Sequence, residues 1–393
     1  MQEKIVLQDF LNAKPLYYDE IDYSRMPRIY EKIKSNLASP KIIHIIGTNG
    51  KGTTGRFLAT ALYSLGFNTG HYTSPHILEF NERVWKNGKD IDNESLQKNH
   101  LELQNILSDD DSNSLSYFEY TTLLSLLVYK DCEYIVMEAG LGGEHDATAV
   151  FDKILTLVTP ISNDHEAFLG NTVKEIATTK LNAIQKFAIL ARQKETEVYN
   201  VADAISQEKS LNIKKISYFL DAHDEEKIAK IAKNLKLENY LTQNLSLAIS
   251  ALKFLNIQYT QSDFIGSRLF GRLSSIGENI IVDVGHNPLA AQAIREALTN
   301  EKYTLVYNSY KDKEYKKILE ILKPIVNKVE IISVNDKRIE INDRLQRTLN
   351  DLKIEYTTFK GVTPNIKYLV FGSFSVVEAF IKSQNKSGTL EYE

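Results

Sequence analysis

The sequence predicts an α/β fold in which parallel strands alternate with helices, arranged as a larger first domain and a smaller second one. Three observations predict it. The β-branched run KIIHII at Lys41–Ile46 leads straight into a glycine-rich segment and then a helical apolar pattern. Further units follow in which an apolar run ends in a cluster of polar residues. A fresh strand and helix alternation then starts at Ile280. Hydrophobic residues make up 43% and charged residues 25% of the 393, which supplies apolar surface for packed cores and excludes the disordered composition class.

After the first strand, Phe57, Leu58, Ala61, Leu62 and Leu65 share one helical face, and Gly66 is a natural stop. Helical periodicity returns through Phe118, Leu123, Leu124 and Leu127, ahead of a strand at residues 134–137 that ends in Glu138 and the turn AGLGG. A third strand, residues 154–158, ends in Thr159, Pro160 and the polar SNDH. Parallel strands of this kind bind ligands beyond their carboxyl ends, where these polar clusters sit. Residues 193–236 are rich in lysine and glutamate, with short helical patterns and no assignable chemistry, and residues 241–255 form a good amphipathic helix. Residues 256–266 are polar and mixed, which places the boundary between a domain of residues 1–266 and one of residues 267–393. Strand candidates in the second are residues 280–283, 303–307, 329–334 and 368–371.

Lys and Arg total 47 against 51 Asp and Glu, without long blocks of one sign, which argues against a binder of duplex nucleic acid. The single cysteine, Cys132, permits neither an intrachain disulfide nor a cysteine zinc site and fits a reducing compartment. The first ten residues interleave charge with apolar side chains, and no stretch has the apolar length needed to cross a bilayer, so the expected location is cytoplasmic, away from membranes.

The strongest chemical signal is Gly47-Thr48-Asn49-Gly50-Lys51-Gly52-Thr53 between strand and helix. Its glycines let backbone amides converge, the helix start adds partial positive charge, Lys51 adds a full one, and the Thr53 hydroxyl suits magnesium. The spacing departs from GxxxxGK[ST], and a plain glycine-rich turn is the competing reading. Glu138 at a strand tip has the geometry that holds a nucleotide's metal, or else is a solvated or capping acid. Asn163, Asp164 and His165 reach the same edge, with His165 a metal ligand or a turn cap. In Asp283-Val284-Gly285-His286-Asn287-Pro288, Asn287 suits an N-cap and Pro288 the first helical position, which leaves Asp283 and His286 where a ligand meets a strand end. Upstream, Arg272 is suited to pair with a phosphate.

Taken in series, GTNGKGT, YTSPH with Asn81-Glu82-Arg83, EAGLGG with Asp146-Ala147-Thr148, NDHEAFLGNT and DVGHNP resemble the folylpolyglutamate synthase/dihydrofolate synthase family of the Mur ligase superfamily, over nearly the whole chain. The resemblance implies a P-loop, Mur-ligase-like ATP- and folate-binding domain with a mostly parallel sheet, and a smaller Rossmann-like carboxyl-terminal α/β domain that handles glutamate. It implies ATP phosphates on Lys51 and the loop amides, magnesium near Thr53, Ser74, Glu138 and His165, adenine near Asn244, and Arg272, Asp283 and His286 at the nucleotide. Lys180 aligns with a lysine that becomes carbamylated and positions a second magnesium, which requires an environment that depresses its pKa; an ordinary helix lysine is the alternative. Around Lys180 the chain departs from the family pattern, reading Thr179-Lys180-Leu181-Asn182-Ala183-Ile184, and it departs also at Glu144-His145 and at Ala149, where the change bears on substrate contacts and not on the fold.

The reaction implied is ATP-dependent amide ligation. A carboxylate of dihydropteroate or of a folate's terminal glutamate takes the γ-phosphoryl group, and the amine of L-glutamate displaces phosphate. Lys51, Lys180, His165 and Arg272 are the expected catalytic residues, acting in a monomer with a hinge at residues 262–268. Folylpolyglutamate synthesis alone, a cell-wall precursor ligase, and a P-loop binding module without ligase chemistry are the competing readings. Against the second, the phosphate loop begins at Gly47, which leaves no space for an additional leading domain; YTSPH and DVGHNP argue against the third.

Overall fold

The computed structural model of the chain describes residues 6–15, 22–163, 169–299 and 301–385. The chain divides into two compact units, Met1–Leu237 with Leu241–Ser267 and Glu238–Tyr240 with Arg268–Glu393.

The first unit is built on β1 (Lys41–Ile46), β2 (Thr69–Tyr72), β3 (Val84–Lys86), β4 (Lys89–Asp90), β5 (Tyr134–Glu138), β6 (Lys153–Val158), β7 (Phe187–Leu190) and β8 (Asn212–Lys215), in the order β4-β3-β2-β5-β1-β6-β7-β8. All neighbours pair in parallel except β2 with β3 and β3 with β4. The continuous apolar run of β1 follows from burial on both faces. Ile43 and Ile45 pack with Phe57, Leu58 and Leu62 of the helix Lys51–Ser64 and with Leu245 and Leu252 of the helix Asn239–Phe254. Ile42, together with Ile135 and Met137 of β5, packs with Leu123 and Leu127 on the other side. His44, the polar interruption, is fully buried with Nε2 donating to Thr148 Oγ1 at 2.7 Å, which in turn donates to Asp146 at 2.6 Å.

The second unit carries β9 (Ser274–Ile276), β10 (Ile280–Asp283), β11 (Tyr303–Tyr307), β12 (Val326–Ile331), β13 (Tyr356–Thr358) and β14 (Tyr368–Phe371), in the order β13-β12-β11-β14-β10-β9, antiparallel only at β9. Leu305, Tyr307, Val329, Leu369 and Phe371 form its core with Ile318, Leu322, Leu345 and Leu349. Both sheets bear out the α/β class with mostly parallel strands.

Two sequence readings shift. The strand expected at residues 329–334 runs Val326–Ile331, because pairing with β11 begins at Tyr303 with Val326. Within residues 193–236, β8 lies between the helices Thr196–Glu208 and Ala222–Asn234. Its sequence, NIKK, has one apolar residue and reads as surface because this is an edge strand, where lysines discourage further pairing. Among the described residues no helix is long and apolar enough to cross a membrane.

At the start of β6, Lys153 points its ammonium at the carbonyls of Ala149 (2.9 Å) and Ala183 (3.4 Å), and burial pushes its pKa down from 10.5 to about 8. Burial does the same to Lys14, which donates to Ser112 O at 2.6 Å and Leu115 O at 2.8 Å. Between the lowered and unfolded values the unfolded chain holds more protons, so stability rises with pH there. We expect the urea midpoint to climb from about pH 7.5 to about pH 9.5, and to climb less in Lys153→Met; a flat profile would contradict the burial cost of these amines.

Candidate active site

β1 lies between β5 and β6, and chain order runs away from it in opposite directions, which opens a crevice at the carboxyl ends of the strands. The chain leaves β1 at Ile46 and turns through residues 47–50 into the helix Lys51–Ser64. Gly50 is the N-cap residue, with φ of 90°, and a Cβ there would strike the amide oxygen of Asn244, so glycine is demanded by both backbone and space. The loop is moored to the segment after β6: the amides of Thr48 and Asn49 donate to Pro160 O at 2.9 and 3.4 Å, and Thr48 Oγ1 donates to Ser162 O at 3.1 Å. This narrows the expected phosphate cradle. Thr48 and Asn49 spend their amides on holding the loop, whereas Lys51, Gly52 and Thr53 begin the helix, whose first intrahelical bond is from Thr54 N to Gly50 O. Their amides and the helix dipole are what the loop offers an anion.

Lys51 is folded over this loop. Its Nζ lies 3.4 Å from the carbonyl oxygens of Gly47 and Thr48 and 3.7 Å from Glu138 Oε1. Glu138 is 4% exposed at the end of β5, and its other oxygen accepts from Thr73 Oγ1 and from Ser74 N (3.3 Å) at the end of β2. Thr53 is 2% exposed, and its hydroxyl has no hydrogen-bond partner among the described residues. An orphaned buried hydroxyl together with a buried carboxylate is the hard oxygen donor set that suits magnesium. Lys180, in the helix Val173–Leu181, is buried and donates to Gly47 O at 3.1 Å. The first unit thus gathers Lys51, Glu138, Ser74, Lys180 and Asn244 around the loop. His165 lies outside the described residues, and among those described no cluster of three or more His, Cys, Asp or Glu forms a ready metal cage.

In the second unit Asn287 caps the helix Pro288–Ala297 through Ala290 N (2.9 Å), as its sequence predicts. Asp283 is 4% exposed and encircled by donors: Gly285 N at 2.8 Å, Leu273 N at 2.9 Å and Tyr240 Oη at 3.2 Å. Burial raises its pKa against the opposing pull of Arg272 and these donors. Leu273 has a φ of 47°, so the carboxylate secures a left-handed residue next to Arg272, whose guanidinium lies over the Phe374 ring at 5.3 Å. His286 Nδ1 donates to Val284 O at 3.2 Å.

Three supporting residues carry no sequence signal of their own. Thr73 follows β2 within YTSPH, and its hydroxyl donates to Glu138. Glu82 accepts the amides of Ile77, Leu78 and Glu79 at 2.7 to 2.8 Å, which fixes the loop after YTSPH. Asp146 binds Leu141 N at 2.8 Å and Thr148 N at 2.9 Å, which shapes the turn after Glu138. All three were discernible only as members of the motif series.

No protein-family profile matches the chain. It is 38% identical to the crystal structure of Helicobacter pylori folylpolyglutamate synthetase, with a TM-score of 0.80 over 97% of this chain and 98% of that one. It is 31% identical over 342 residues to a dihydrofolate synthase/folylpolyglutamate synthase of Buchnera aphidicola, covering 80% of each. E. coli FolC in complex with DHPP and ADP is 25% identical, with a TM-score of 0.83 over 97% of each chain.

The turn after Glu138 touches the Lys180 helix so closely that a Cβ on Gly143 would lie 2.5 Å from Lys180 O and 2.9 Å from its Cα. Backbone on both sides leaves nothing flexible to yield. Gly143→Ala is therefore expected to cost about 1–3 kcal/mol in urea unfolding, and an unchanged midpoint would show that the two segments do not approach this closely.

Proposed function

The chain belongs to the dihydrofolate synthase/folylpolyglutamate synthase family and is an ATP-dependent amide ligase of folate synthesis; we propose the following division of labour among its residues. The observation that supports it is the meeting of Lys51 Nζ and Glu138 Oε1 at 3.7 Å at the start of the helix Lys51–Ser64, whose first turn also carries the Thr53 hydroxyl, buried and without a hydrogen-bond partner among the described residues.

A carboxylate oxygen of dihydropteroate, or of a folate's terminal glutamate, attacks the γ-phosphorus of ATP, the bond to ADP breaks, and an acyl phosphate results. The amine of L-glutamate adds to the acyl carbon, loses a proton, and the tetrahedral intermediate expels phosphate as the amide forms. Two anions must meet in the first step, so neutralisation of charge is the main catalytic task. Lys51 swings from the Gly47 and Thr48 carbonyls to the β- and γ-phosphates, where the amides of Gly52 and Thr53 add hydrogen bonds. Asn244 orients the adenine. Thr53, Ser74 and Glu138 would hold magnesium, which supplies positive charge along the triphosphate. For a second magnesium ion we propose His165 and Lys180, the latter as a carbamate. In the second unit Arg272 and His286 serve the nucleotide, with Asp283 securing the Arg272 segment, and that unit takes glutamate. The enzyme acts on small molecules, and we propose a cytoplasmic monomer.

The decisive experiment measures ADP release with ATP and magnesium, adding dihydropteroate or tetrahydrofolate and glutamate singly and together. Release that requires an acid and glutamate jointly, with a product heavier by one glutamate residue, supports the assignment; release indifferent to either overturns it. Lys51→Ala should lower turnover by about 10²–10³-fold or more with an unchanged circular dichroism spectrum. Lys180→Ala should lose activity and regain part of it with added short carboxylates, whereas full activity without the lysine removes it from the mechanism.

A further inference from the structure

We propose that Thr73 is a positioning residue for Glu138: its hydroxyl fixes which carboxylate oxygen faces Lys51 and the magnesium position. The inference rests on the reading of Glu138 as a metal ligand. Its basis is the sheet register. β2 and β5 run in parallel with Tyr72 opposite Met137, so the next residues, Thr73 and Glu138, stand side by side at the strand ends. Side chains alternate between sheet faces, and Tyr72 and Met137 share the apolar cluster on the far side, which puts Thr73 and Glu138 on the face covered by the helix Lys51–Ser64. Thr73 is itself pinned, its amide donating to Arg83 O at 3.0 Å, and is 7% exposed.

The consequence is a division of the carboxylate. Oε2 is taken by Thr73 Oγ1 and Ser74 N, whereas Oε1 is turned toward Lys51 Nζ at 3.7 Å. A glutamate has three rotatable bonds, and in a site 4% exposed no water shell compensates a wrong orientation. With the hydroxyl in place, one oxygen is anchored and the other is presented without further loss of side-chain entropy. Outer partners of this kind orient ligating groups, and their loss costs about 10–100-fold in metal affinity.

The test uses the purified full chain and Mn²⁺ with ADP, read by electron paramagnetic resonance or calorimetry without turnover. Thr73→Val keeps the shape and removes the hydroxyl; Thr73→Ser keeps the hydroxyl. Thr73→Val should weaken Mn²⁺ by about tenfold or more, with ADP binding in the absence of metal and the urea midpoint little changed, while Thr73→Ser stays within about threefold of wild type. Equal Mn²⁺ affinity in Thr73→Val overturns the proposal. Glu138→Gln separates the two levels: if it too retains Mn²⁺, the ligand reading falls and the positioning role with it; if it alone loses Mn²⁺, only the positioning role falls. Should Thr73→Val lose stability as well as affinity and Thr73→Ser fail to restore Mn²⁺, packing and not the hydroxyl is responsible, and the proposal is likewise overturned.

Discussion

Everything at the site depends on the parallel register that sets β5 between β2 and β1. Ile45 opposes Glu138, and Tyr72 opposes Met137, so three strand ends arrive level and their loops share one crevice. A slip of one residue in β5 would send Glu138 into the apolar layer of Leu123 and Leu127 and expose Met137 in its place. The register is therefore enforced by the core on both faces, at positions far from the chemistry. The site inherits its precision from hydrophobic packing.

That packing also makes the site electrostatically demanding. Glu138 and Lys180 are each 4% exposed, and charges in such surroundings persist only with partners. The resting arrangement supplies them from within: Lys180 donates to Gly47 O, and Lys51 lies between loop carbonyls and Glu138. Binding of a polyphosphate replaces these contacts with stronger ones at little cost of reorganisation, since the groups are already desolvated. The same loop carbonyl, Gly47 O, thus ties together the two lysines to which we assign the reaction.

The sequence was most legible where local chemistry and burial agree. KIIHII, the glycine loop and the Asn287–Pro288 helix start were placed correctly in the fold because each carries its own turn, cap or doubly buried apolar signature, and Glu138 stands at a strand end as expected. Edge and short strands were invisible for the converse reason: β4 has two residues, and β8 buries none of its side chains. The roles of Thr73 and Pro160 were beyond reach, since both act through groups brought close by strand order. Pro160 offers only a carbonyl, yet that carbonyl takes two amides that the glycine pattern assigns to phosphate.

Glu138 and Asp283 show why a strand-end acid cannot be interpreted from its position alone. Both end a parallel strand, both are 4% exposed, and both precede a glycine-containing turn. They differ in how their oxygens are committed. Glu138 has one oxygen held by Thr73 and Ser74 and the other facing a lysine across 3.7 Å, an arrangement that a cation can enter. Asp283 has both oxygens bound, to Gly285 N on one side and to Leu273 N and Tyr240 Oη on the other. Its influence passes through the backbone at Leu273, whose φ of 47° is costly for a branched side chain and sets where Arg272 stands. One acid presents charge outward, and the other spends it on holding the chain; hydrogen-bond commitment is what separates them.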